Sequence, residues 1–234
     1  MDEQDSRRRS IRSFVRRTGR MTPSQERALK DLWPKFGIEY DHSLLDLHAI
    51  FGRDAARVLE IGFGNGDTLV LAAADSPEDD FLGIEVHEPG VGHCLLKADE
   101  AGITNLRVII HDAIEVLGNQ VADGALDRIN LYFPDPWPKK RHHKRRIVAA
   151  PFLALAARKL RRGGALHIAT DWANYAEHID ETMSACPDFV LAERSEHKGD
   201  QPLARHTTKF ETRGIRKGHR IWDWIFRRSG STAN

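Results

Sequence analysis

Short apolar runs alternate with amphipathic or small-residue segments along most of this chain, and the alternation predicts repeated strand and helix units. Arg57-Val58-Leu59-Glu60-Ile61 reads as the first strand, Thr68 to Ala74 as a small-residue helix, and Phe81 to Val86 as the second strand. Pro89 to Ala101 fits a helix stopped at Gly102, Leu106 to Ile110 is the third strand, and Leu126 to Phe133 is the fourth. Pro151 to Arg162 is expected to be helical, with Pro151 suiting a first turn and Gly163-Gly164 ending it. A fifth strand over Ala165 to Thr170 follows, then a helix near Asn174 to Ala185, a strand near Phe189 to Arg194, and an aromatic-rich strand over Ile221 to Phe226. Upstream, Thr22-Pro23-Ser24-Gln25 offers a helix start, and Glu26 to Trp33 is a short helix that Pro34 interrupts. The pattern implies an α/β protein: a sheet of about seven strands, mostly parallel, with helices on both faces.

At 234 residues and 41% hydrophobic content, the chain has the material for one such domain with a full core and an appended arm. The expected division is a basic arm over residues 1–20, a helical extension over 21–54 and the α/β domain over 55–234. The arm holds Arg7, Arg8, Arg9, Arg12, Arg16, Arg17 and Arg20, with few apolar residues to support packing. A formal net charge of +1 excludes a uniformly basic nucleic-acid binder and confines any such contact to local patches. No apolar segment has the length of a signal peptide or a membrane span, and Asp2, Glu3 and Asp5 argue against a transit peptide, so no membrane partner and a cytoplasmic location are expected. Cys94 and Cys186 are too few for a disulfide scaffold or a cysteine zinc site, and the twelve His show no metal-binding spacing; no metal is expected. Monomer and homodimer are both compatible with this reading.

Glu60-Ile61-Gly62-Phe63-Gly64-Asn65-Gly66 joins a strand to a helix, and its glycines let a ligand approach the backbone closely. The spacing is GxGxG, not the GxGxxG of a dinucleotide site, and the flanking acids Glu60 and Asp67 would repel a pyrophosphate. S-adenosylmethionine carries a sulfonium and an ammonium but no phosphate, so acidic neighbours attract it. Glu85 ends the second strand, where a carboxylate can accept both ribose hydroxyls, and Asp112 ends the third, where it can accept from the adenine amine.

The fourth strand runs into Pro134-Asp135-Pro136-Trp137 and then Lys139-Lys140-Arg141-His142-His143-Lys144-Arg145-Arg146. The prolines set Asp135 in a stiff loop, Trp137 is able to stack a base, and the cations suit phosphates. Taken with Leu59 to Gly66 and with Thr208-Lys209-Phe210-Glu211, these motifs resemble the bacterial tRNA (guanine-N7-)-methyltransferase family over roughly residues 55 to 228. The resemblance implies a class I, Rossmann-like methyltransferase fold and methyl transfer from S-adenosylmethionine to N7 of a guanine in the tRNA variable loop. It implies cofactor contacts at Glu60, Glu85, Asp112 and Asp135, beside the loop glycines Gly62, Gly64 and Gly66 already read as cofactor-binding, with Asp135 also the catalytic acid. Substrate contacts fall on Lys139, Asp171, Thr208, Lys209, Phe210 and Glu211, and RNA contacts on Arg141, His142, His143, Lys144, Arg145 and Arg146. A same-fold methyltransferase for another RNA base, a noncatalytic RNA binder and an NAD-dependent oxidoreductase are the alternatives, the last opposed by the glycine spacing.

Overall fold

The computed structural model describes residues 13, 19–199 and 205–230. Its seven strands, β1 (Arg57–Ile61), β2 (Asp80–Glu85), β3 (Leu106–Ile110), β4 (Leu126–Tyr132), β5 (Leu160–Thr170), β6 (Phe189–His197) and β7 (Ile221–Arg228), form one sheet in the order β3-β2-β1-β4-β5-β7-β6. Strands β1 to β5 pair in parallel, whereas β7 lies antiparallel between β5 and β6. Because β1 has β2 on one side and β4 on the other, the winding direction reverses there. The crevice beyond the carboxyl ends of strands at such a reversal is where open α/β sheets take ligands.

The helices are α1 (Pro23–Asp31), α2 (Trp33–Phe36), α3 (Leu47–Phe51), α4 (Asp67–Asp75), α5 (Glu88–Glu100), α6 (Ala113–Asn119), α7 (Ala150–Lys159), α8 (Ala173–Ser184) and α9 (Lys209–Arg216), with a 3-10 turn over Lys140–Arg145. Two apolar clusters flank the sheet. Val58 joins Ala28, Leu69, Val70, Val91 and Leu95 from α1, α4 and α5, while Leu59 and Ile61 join Val116, Leu117, Phe152, Leu153 and Ile179 from α6, α7 and α8. Alternate residues of one strand thus face opposite layers, as a strand buried on both sides requires. The segment before β1 belongs to the same body. Gly92 of α5 lets α1 approach, since a Cβ there would stand 2.9 Å from Gln25 Cβ, and the Ile38 N–H donates to Val108 O at 2.9 Å along the outer edge of β3.

Several expected boundaries move. The helix predicted over 151–162 ends at Lys159, and Gly163-Gly164 lies inside β5 instead of closing a helix. Leu160 pairs with Leu126 and Ala165 with Arg128, so the glycines sit in a register shift that absorbs extra residues. Pro34 occupies the first turn of α2, where a missing N–H costs nothing, and the interruption falls at Leu32. Helices α3, α6 and α9 lie outside the expected elements; each starts on a side chain, Asp46, Asp112 or Thr208, that accepts from a backbone N–H of the first turn.

Candidate active site

Between β1 and α4 the chain turns with Gly62, Gly64 and Gly66 all left-handed, at φ of 72°, 61° and 75°. Side chains rarely adopt this conformation, and at Gly66 a Cβ would also stand 2.4 Å from Cys94 Sγ. At Gly62 a Cβ would meet nothing within 4 Å, so the backbone there borders open space at the crevice. Glu85 braces the turn: one carboxylate oxygen accepts from Gly64 N–H at 2.8 Å, and the other from Val86 N–H at 2.6 Å and His87 N–H at 3.0 Å. Glu60 is 4% exposed and makes no hydrogen bond to another described residue. Burial pushes its carboxyl up to about 7, against the opposing charge of Arg205. Asp112 caps α6 by accepting from Ile114 N–H at 2.9 Å.

Beyond β4, two aromatic residues are left-handed, Phe133 at φ 51° and Trp137 at φ 45°, and they bracket Pro134-Asp135-Pro136. Such backbone costs about 1–3 kcal/mol per residue and persists only where its surroundings enforce it. Phe133 N–H donates to Ala169 O at 2.8 Å, Arg146 Nε donates to Pro136 O at 3.1 Å, and Arg146 Nη2 donates to Asn174 Oδ1 at 2.7 Å. The sequence groups Arg146 with the RNA-contacting cations, but the structure buries it beside them, with Nη2 3.2 Å from His143 Nε2. It is 5% exposed, lies over the Tyr175 ring, and its donors are committed to the loop and to α8. Lys139, Lys140, Arg141 and Lys144 are exposed, as is Asp135. Trp137 is half-buried: Arg145 lies over its ring, His142 meets it edge-on, and its indole N–H donates to Ser13 O at 3.0 Å. Apart from residues 13, 19 and 20, the basic arm falls outside the described residues.

Asp171 follows β5 directly, with His219 Nδ1 2.9 Å from its Oδ2 and Gly214 packed so closely that a Cβ there would stand 2.8 Å from the same oxygen. Thr208 and Glu211, expected as substrate contacts, form a reciprocal cap on α9: Glu211 N–H donates to Thr208 Oγ1 at 3.0 Å and Thr208 N–H to Glu211 Oε2 at 3.4 Å. The helix start reaches the glycine turn, where Lys209 pairs with Asp67 at 2.7 Å and the exposed Phe210 ring faces Gly64. Thus the structure brings Glu60, the glycines, Glu85 and Lys209 to Glu211 together, with Asp112, Asp135 and Asp171 beyond neighbouring strands of the same sheet edge.

Sequence reasoning missed the charges beneath the site. Arg205, with a side chain 5% exposed, donates from Nε to Asp223 Oδ2 at 2.8 Å and from Nη1 to Glu211 Oε2 at 2.6 Å, while stacking over Tyr132 and Phe133. His167 Nε2 lies 2.5 Å from Asp223 Oδ1, and its Nδ1 lies 3.0 Å from Tyr132 Oη. Burial pushes the Asp223 carboxyl up, but the His167 hydrogen bond and the Arg205 charge outweigh it and hold the group below its ordinary value. Burial likewise opposes the Arg205 charge, and Asp223 and Glu211 overcome it. The available signal was an acid within Ile221-Trp222-Asp223-Trp224 and an imidazole within Ala165 to Thr170: polar groups in apolar strands must find partners. Among the described residues, no cluster of three or more His, Cys, Asp or Glu is arranged to hold a metal, and no helix is long and apolar enough to cross a membrane.

This strand order, with one antiparallel strand, a glycine turn after β1 and acids beyond successive strand ends, defines a class I methyltransferase, a fold whose use implies S-adenosylmethionine. The fold is shared with an antibiotic-related methyltransferase at TM-score 0.54 and 14% identity, covering 80% of this chain and 97% of that one, and with TrmN from Thermus thermophilus at 0.53 and 17%, covering 78% and 46%. Residues 54–224 match the family described as "Putative methyltransferase". The chain is 54% identical over 220 residues to the tRNA (guanine-N(7)-)-methyltransferase of Shewanella piezotolerans, covering 94% of this chain and 93% of that protein. It is 54% identical over 228 residues to the protein of that name in Yersinia enterocolitica, covering 97% and 95%. The chain belongs to the tRNA (guanine-N(7)-)-methyltransferase family.

Proposed function

We infer that this chain transfers a methyl group from S-adenosylmethionine to N7 of a guanine in the variable loop of tRNA. One observation carries the reading: a chain 54% identical to a named tRNA (guanine-N(7)-)-methyltransferase presents Glu60, Glu85, Asp112 and Asp135 at the carboxyl ends of its first four strands. The residues fit the cofactor. Glu60 is a buried carboxyl without a hydrogen-bonding partner among the described residues, which suits a cationic ammonium. Open space beside Gly62 gives access to the backbone, Glu85 suits the ribose hydroxyls, and Asp112 suits the adenine amine.

S-adenosylmethionine supplies an electrophilic methyl on a sulfonium. The protein's contribution is chiefly orientation, which requires nucleophile and carbon about 3–3.5 Å apart and in line. No base is needed to create the nucleophile, because neutral guanine already carries a lone pair at N7. Methylation leaves the purine positive, so an acid beside it serves by charge. Asp135, exposed between two prolines that stiffen its loop, accepts from the guanine N–H edge and stabilises the developing charge. Asp171, pinned by His219, lies beyond the next strand and shares that task. Glu211 acts indirectly, through the cap and Arg205, by holding α9 in place. Lys139, Arg141, His142, His143, Lys144 and Arg145 hold RNA phosphates, while Arg146 holds the Pro-Asp-Pro loop.

The test is methyl transfer from labelled S-adenosylmethionine to unmodified tRNA transcripts, followed by chemical cleavage at 7-methylguanine. Cleavage in the variable loop is expected. Label on another base or at another site rejects the substrate assignment, and tRNA and cofactor binding without label rejects the enzyme.

A further inference from the structure

Helix α9 carries cations that the site described above does not use. Its inward face is Glu211, Gly214 and the half-buried Ile215, while Lys209, Arg213, Arg216 and Lys217 are exposed. Those four positions are i, i+4, i+7 and i+8, a single stripe along a helix. Lys209 pairs with Asp67 at the glycine turn, but among the described residues no carboxylate pairs with Arg213, Arg216 or Lys217. The stripe therefore begins at the glycine turn and runs along the solvent face of the helix for about 12 Å, eight residues at 1.5 Å each. The helix is held in place by its own cap, by Arg205 on Glu211, and by Gly214 against Asp171. A fixed row of cations beside the site, three of them without a carboxylate partner among the described residues, is complementary to a polyanion with one residue seated in that site.

We propose, resting on the tRNA reading, that α9 docks the phosphate backbone of the tRNA flanking the target guanine through Arg213, Arg216 and Lys217, in addition to the Lys139 to Arg145 segment. The competing role for these cations is intramolecular, since cations in a last helical turn also offset the helix macrodipole.

The experiment compares full-length R213Q/R216Q/K217Q with wild type in Kd for an unmodified tRNA transcript across a salt series, with S-adenosylmethionine Kd and Tm as controls. Removing three phosphate contacts should flatten the slope of log affinity against log salt by about 2–3 and weaken tRNA binding at low salt by tenfold or more, roughly, with cofactor affinity unchanged. An unchanged slope, or a lowered Tm with unchanged tRNA affinity, overturns the proposal and leaves the cations to the helix dipole. Should the triple variant fail to fold, Arg216→Gln alone should flatten the slope by about one, and no change there is equally decisive. The readout is binding, so it is separate from methyl transfer. Wild type that binds tRNA without modifying guanine N7 rejects the enzymatic reading, whereas an unaltered slope with active wild type rejects only the α9 surface.

Discussion

Glu60 is a carboxyl placed where ionisation is costly. Its folded-state value of about 7 lies above the ordinary 4.5, so between those values the folded chain holds a proton that the unfolded chain has lost. Its contribution to stability is therefore greatest at low pH, falls as pH rises from about 4.5 to about 7, and is flat above. Denaturant melts of Glu60→Gln should lack this slope, and a variant that keeps it assigns the slope to another group. A ligand ammonium reverses the preference, because the carboxylate is the form that binds. Affinity for S-adenosylmethionine, measured by calorimetry, should rise with pH up to about 7 and then level off. Glu60→Gln should bind about 10–100-fold more weakly, with that pH dependence removed. Asp135 offers a contrasting case at the same sheet edge, an exposed acid to which the proposed mechanism gives a role in the reaction. Asp135→Asn should lower kcat by about 10²–10³ with tRNA Kd unchanged; full turnover would mean that guanine charge is stabilised elsewhere.

Arg205 links elements that are distant in sequence, since β4 supplies Tyr132, β7 supplies Asp223, and α9 supplies Glu211. Removing one member of a buried ionic cluster leaves an uncompensated charge, so Arg205→Met should cost about 3–5 kcal/mol in urea unfolding, with part recovered by adding Glu211→Gln. A loss under about 1 kcal/mol would show that packing, not the guanidinium, holds α9. The sequence hinted only that Asp223 and His167 need partners; which partners was not legible, because the network is assembled by β7 pairing antiparallel to β5, which puts Asp223 opposite Ala169 and within reach of His167. The strands themselves were legible. β1 to β4 are apolar runs bounded by turn residues, and a sheet buried on both faces demands that composition. The acids at their ends were legible for the same reason, standing out where the apolar runs stop. Helix ends were not: Gly163-Gly164 has the composition of a helix stop, and only pairing with Leu126 and Arg128 turns it into a strand irregularity. The start of α9, Thr208-x-x-Glu211, is a capping box, but the same residues match a family motif, and the sequence reading makes them substrate contacts only.

Across the whole molecule, one sheet joins the crevice residues to both apolar clusters, so occupancy of the crevice should be felt in global stability. At a ligand concentration of 100 Kd, S-adenosylmethionine should contribute about 2.7 kcal/mol, a rise in Tm of about 5–10 °C for a chain of this size. A Tm that ignores the cofactor at concentrations where calorimetry shows binding would mean that the crevice opens independently of the core. The place of β7 has a further consequence, for how the protein is made. Strands β1 to β5 and the Pro-Asp-Pro loop precede residue 171, but β7, Arg205 and α9 come from the last stretch of chain and lie inside the architecture, with β7 between β5 and β6. A chain cut off near residue 200 therefore keeps the glycine turn but lacks Arg205, α9 and β7. It also has the long edge of β5, Leu160–Thr170, open to other chains. Such a fragment lacks Arg205 and α9 at the crevice, and a bare strand of that length is a template for aggregation, so assembly of the crevice depends on segments that follow β6 in sequence.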